Sequence, residues 1–112
     1  MKKCDMTEKI GRIDVHSHLL PAVDDGCPTL EESVACARRM VEAGYTHSFC
    51  TPHIWPNLPA NNVDQIVSRT ARLQQALEEA NVPLRVMPGG ELNLRPDIAG
   101  TPIEQLPTYA MA

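Results

Sequence analysis

Polar and apolar residues alternate over Arg12-Ile13-Asp14-Val15-His16, the pattern of a short strand. A loop over residues 21–28 carries Asp24-Asp25-Gly26. Thr29-Leu30-Glu31-Glu32 then reads as a capping box, in which Thr29 accepts from the backbone three residues on and Glu32 reaches back. Leu30, Val34, Ala37 and Val41 recur at helical spacing as one apolar face, and Gly44 supplies the stop. Residues 45–51 form a second strand ended by Pro52. A Pro- and Asn-rich loop leads to a longer helix, capped by Asn62 with Gln65 and buried along Val63, Ile66, Val67, Leu73 and Leu77. Asn81 and Pro83 end that helix, residues 83–87 make a third strand, and Gly89-Gly90 turns the chain into Glu91. A short helix near residues 103–106 is the only element expected afterwards. Strand, helix, strand, helix, strand implies right-handed crossovers and a parallel sheet, an α/β fold.

Composition narrows the function classes. The 112 residues are 43% hydrophobic and 21% charged, an ordinary globular balance that excludes a disordered tail or a disulfide miniprotein. A net charge of −4 without basic runs argues against nucleic acid and anionic membranes as partners. The few aromatics (Tyr45, Phe49, Trp55, Tyr109) offer no platform for base stacking. No stretch approaches the ~18 apolar residues of a membrane span, and the start of the chain lacks the apolar core of a signal peptide. Cys4, Cys27, Cys36 and Cys50 form no C-x-x-C pair and are expected as buried thiols in a reducing cytoplasm. None can be the nucleophile of a C-x5-R phosphatase, because the arginine positions hold Ile10, Ser33, Glu42 and Pro56.

The candidate chemistry lies at the strand ends. His16 and His18 form an H-x-H that puts both imidazoles on one side of an extended backbone, able to share a cation. Asp25, or its neighbour Asp24, follows in the next loop; His53 follows strand two and Glu91 follows strand three. Ligands in parallel α/β folds gather at the carboxyl ends of strands. Each of three strands delivers a histidine or carboxylate there, which chance explains poorly. His47, inside strand two, reads as a packing or surface residue, and Arg95 as a surface arginine near enough to Glu91 to consider for phosphate.

Residues 13–21 (IDVHSHLLP), Asp24-Asp25-Gly26, Thr51-Pro52-His53 and Pro88-Gly89-Gly90-Glu91 resemble the polymerase-and-histidinol-phosphatase (PHP) superfamily. The Leu-Pro-x-x-Asp-Asp-Gly continuation and the Thr-Leu-Glu-Glu-Ser helix start are most similar to its bacterial CpsB/YwqE-type metal-dependent protein-tyrosine phosphatases. The resemblance implies a distorted (β/α)7 barrel with a trinuclear site, Mn2+ or else Fe or Zn. His16 and His18 would bind the first metal, Glu91 would bridge first and second, and Asp25 and His53 would bind the third. It further implies phosphomonoester hydrolysis without a protein nucleophile, with a phosphotyrosine protein as partner: a bacterial tyrosine kinase of capsule or exopolysaccharide assembly. A hydrolase of a small phosphorylated substrate such as histidinol phosphate, or a non-catalytic metal- or partner-binding fragment, are the alternatives. Gly90 and Leu92-Asn93-Leu94 depart from the pattern, and no histidine follows His53. Residues 1–112 are accordingly expected to form the N-terminal part of one barrel domain, behind a leader of residues 1–11, with weak turnover of their own. The strand edges of such an unclosed sheet favour self-association into a homo-oligomer.

Overall fold

The computed structural model describes residues 10–54, 58, 61–92, 100 and 102–105. The chain is mixed α/β with parallel strands. In chain order its elements are β1 (Arg12–Ser17), α1 (Leu30–Glu42), β2 (Tyr45–Cys50), β3 (His53–Ile54), α2 (Val63–Glu79), β4 (Arg85–Pro88) and β5 (Glu91–Leu92), then a 3-10 turn at Ile103–Gln105. β1, β2 and β4 form one parallel sheet in the order β1-β2-β4, with β2 central. β3 and β5 form a second parallel pair, with His53 opposite Glu91.

Local chemistry explains the helix ends. The Thr29 side chain accepts from Glu32 N at 3.2 Å, and Asn62 accepts from Gln65 N at 3.0 Å. Both occupy an orphan donor of the first turn. No return bond from Glu32 to Thr29 is found among the described residues, so the capping box is one-sided. After α1, Gly44 takes φ +96°, a left-handed conformation that glycine adopts without a Cβ clash. Its carbonyl accepts from Arg12 N at 3.0 Å and ties the turn to the start of β1.

The core gathers Ala37 of α1, Cys50 of β2, Ile66, Leu73 and Leu77 of α2, and Val82, Leu84 and Val86 in and before β4. Leu19, Leu20 and Val23 complete it from the loop after β1. That loop is thus anchored: the buried Ser33 hydroxyl donates to Leu19 O at 2.6 Å. Gln74 holds α2 on β4, donating from Nε2 to Leu84 O (3.2 Å) and accepting Val86 N on Oε1 (2.8 Å).

The structure corrects three expectations. Leu30 and Val67 lie off the buried stripes, 42% and 46% exposed. Ser33 and Thr70 are buried in the same helices, because each hydroxyl satisfies itself on a nearby carbonyl, Leu19 O for Ser33 and Ile66 O for Thr70. The thiols are not uniformly buried: Cys50 is, Cys27 is half-buried and Cys36 is exposed, while Cys4 lies outside the described residues. The β3–β5 pair was not expected, since two-residue strands are too short to show a period. Among the described residues no helix is long and apolar enough to cross a membrane.

Candidate metal centre

β1 carries the first two histidines and is irregular where they begin. Asp14 pairs with Ser48 and Ser17 with Cys50, so β1 advances three residues while β2 advances two. Such a slip re-aims a side chain, and bulges of this kind favour site edges. Asp14 Oδ1 accepts His16 N at 3.2 Å within it. The His16 and His18 rings end 5.0 Å apart, edge to face.

Glu91 stands between the histidines. Its Oε1 is 3.0 Å from His16 Nε2 and 3.3 Å from His18 Nε2, and its Oε2 is 2.9 Å from His53 Nδ1. The pairing of β3 with β5 sets this position, helped by Glu91 N donating to Pro52 O at 2.9 Å. On the far side of its ring, His53 Nε2 lies 3.2 Å from Asp25 Oδ1. The His18 and His53 rings are 4.4 Å apart. Two overlapping donor groups result, His16–His18–Glu91 and His18–Asp24–Asp25–His53, and within each the donor atoms lie within 4.8 Å of one another. All five residues expected from the sequence are brought together. His47 belongs to neither group and faces Thr46 Oγ1 at 2.7 Å. Arg95 lies outside the described residues.

Asp24 is set apart from Asp25 by its surroundings. Its side chain is fully buried, whereas that of Asp25 is 71% exposed. Asp24 Oδ2 accepts from His53 N and faces His18 Nδ1, both at 2.9 Å, and Oδ1 accepts Gly26 N at 2.9 Å. Burial alone would raise the Asp24 pKa. The hydrogen bonds of His18, His53 N and Gly26 N outweigh it and hold the carboxyl below its ordinary value. The turn is tight: a Cβ on Gly26 would come within 2.3 Å of His18 O.

Sequence reasoning missed Thr51 and Asn61. The buried Thr51 hydroxyl accepts Ser17 N (3.1 Å), donates to Ser17 O (3.1 Å) and meets His16 Nδ1 at 3.0 Å. With its own hydrogen on Ser17 O, the Thr51 hydroxyl is left to accept from His16 Nδ1, and His16 Nε2 turns towards Glu91. Asn61 Nδ2 donates to Val23 O (3.0 Å) and His53 O (2.9 Å), pinning the aspartate loop to β3. Thr51 had a signal, its place beside Pro52-His53; Asn61 had none, reading as loop punctuation.

This donor set fits divalent metal ions. Asp24 on His18 Nδ1 and Thr51 on His16 Nδ1 hold both rings with Nε2 turned towards Oε1 of Glu91. His53 places both ring nitrogens against carboxylates, although a neutral ring has one N–H. Cations bound between these groups would satisfy such contacts, and an outer carboxylate behind a ligating histidine is a recurrent feature of metal sites.

Residues 12–110 match the family described as capsular polysaccharide synthesis, CpsB/CapC. The chain belongs to the CpsB/CapC family. It is 33% identical over 82 residues to the tyrosine-protein phosphatase YwqE of Bacillus subtilis, covering 73% of this chain and 32% of YwqE. To the tyrosine-protein phosphatase CpsB of Streptococcus agalactiae it is 30% identical over 97 residues, covering 86% and 40%. Crystal structures of YwqE from Bacillus subtilis and CpsB from Streptococcus pneumoniae, described as unique metal-dependent tyrosine phosphatases, include a chain that superimposes with a TM-score of 0.75 at 30% identity. That match covers 80% of this chain and 36% of the solved one. This CpsB/CapC chain therefore spans about a third to two-fifths of the length of the relatives it matches.

Proposed function

We propose that the centre holds divalent metal and serves the hydrolysis of phosphotyrosine in protein. The observation that carries this reading is the convergence on Glu91 of three imidazoles, two from the end of β1 and one from the start of β3, with Asp25 behind His53. His16, His18 and Glu91 would hold one ion, and His53 and Asp25 another. Asp24 and Thr51 would orient His18 and His16. Bound there, the metal would lower the pKa of water and clamp phosphate oxygens through displacement. The chain's own part is to fix the imidazole tautomers, hold Glu91 between the rings and keep the aspartate loop against β3. Mixed nitrogen and oxygen donors suit Mn2+, Fe or Zn alike, and the family resemblance is what puts Mn2+ first.

The parallel order and the superposition support reading β1, β2 and β4 as part of a distorted (β/α)7 PHP barrel, with residues 1–112 in its N-terminal portion. The names of the relatives support a tyrosine-phosphorylated protein as substrate, with a bacterial tyrosine kinase of capsule assembly in the cytoplasm as the fitting partner. Turnover by this chain alone is expected to be weak, because it spans 32% of YwqE.

The test measures phosphate release from a phosphotyrosine peptide and from histidinol phosphate, with Mn2+ and with EDTA, beside YwqE as a yardstick. Release from the peptide that Mn2+ supports and EDTA abolishes is expected. Preference for histidinol phosphate would replace the substrate class, and metal binding with no release from either would make the segment a binding module.

A further inference from the structure

The geometry points to a peroxide-reactive dithiol at Cys27 and Cys36, a pair that closes into a reversible disulfide across the start of α1. Their Sγ atoms lie 3.8 Å apart although the residues are nine positions apart in the chain. Both backbones are held in place. Cys27 N donates to His18 O at 3.2 Å and Cys27 O accepts Ala22 N at 2.8 Å, while Cys36 stands within α1 behind the Thr29 cap. Bonding needs the sulfurs to approach to ~2.05 Å. Cys36 is exposed and Cys27 half-buried.

Exposure assigns the roles. Cys36, open to solvent, meets hydrogen peroxide first: its thiolate sulfur attacks one peroxide oxygen, the O–O bond breaks, and Cys36 sulfenic acid and hydroxide result. Cys27 sulfur then attacks the sulfenic sulfur, the S–O bond breaks, and water leaves as the S–S bond forms. Two thiols and one peroxide thus give one disulfide and two waters, the peroxide taking both electrons. Cys50 stays outside this chemistry, since its thiol is fully buried.

Trypsin isolates the pair, because no Lys or Arg lies between residues 13 and 37: Cys27 and Cys36 share the peptide of residues 13–38, apart from Cys4 and Cys50. The whole chain is treated with a small excess of hydrogen peroxide, alkylated, digested and weighed, with and without dithiothreitol. The expected result is a 13–38 peptide lighter by two hydrogens and refractory to alkylation, which dithiothreitol restores to two alkylated thiols. In Cys36→Ser, an exposed position that leaves the core intact, Cys27 should remain alkylatable after the same treatment. A 13–38 peptide still carrying two alkylated thiols, or Cys36 driven to sulfinic acid beside an alkylated Cys27, would overturn the proposal. So would loss of Cys27 in Cys36→Ser as fast as in the unchanged chain.

Discussion

Adjacent aspartates in one turn do different things. Asp24 is buried and spends its oxygens on His18, His53 N and Gly26 N, while Asp25 projects into solvent and meets the outer nitrogen of His53. The sequence shows both carboxylates and the turn, but not which points inward, because that depends on β3 arriving from 29 residues away. Asp24→Ala is expected to weaken metal affinity by about 10–100-fold, the usual effect of removing an outer partner of a ligating histidine. Calorimetric Mn2+ titration checks it; unchanged affinity would mean that Asp24 does not orient His18. His16, His18, His53 and Glu91 were legible as residue types at strand ends. Asn61 was not, since its amide acts through backbone groups far away in sequence, and Thr51 shows there only as the neighbour of Pro52-His53.

At the level of elements, the helices were readable because their caps are local. Thr29→Ala removes the bond to Glu32 N and should cost about 1 kcal/mol, seen as a Tm lower by roughly 4–8 °C. An unchanged Tm would show that α1 is held by packing alone. In β2, burial pushes the Cys50 thiol up to about 12. A group whose folded pKa is raised contributes stability that is whole below its ordinary range near 9 and lost as pH climbs towards 12. Denaturant midpoints should therefore fall between pH 9 and 11, and Cys50→Ala should flatten that fall. An equal fall in both would place the loss elsewhere. The β3–β5 pair escaped sequence reading because its partners are specified by what they bring together, His53 and Glu91, more than by any periodicity of their own.

Across the molecule, one core supports both the sheet and the site. Leu19, Leu20 and Val23 of the aspartate loop are buried in the same cluster as Leu73 and Leu77 of α2. Leu77→Ala, at a fully buried position, is expected to cost about 2–5 kcal/mol, a large share of the ~5–15 kcal/mol a domain possesses. Urea unfolding measures it, and a loss under 1 kcal/mol would show that the core collapses around the gap. The parallel α/β order was legible from alternating elements, whereas the slip in β1 that aims His16 was not, because a strict two-residue period conceals an inserted residue. The central claim is that Glu91 joins the histidines at the end of β1 and the start of β3 into one metal centre. Mn2+ retained after dialysis, measured by elemental analysis, tests it in the unchanged chain, Glu91→Gln and His47→Gln. Metal kept in the first and third and largely lost from Glu91→Gln is the predicted result; equal metal in Glu91→Gln and the unchanged chain would contradict it.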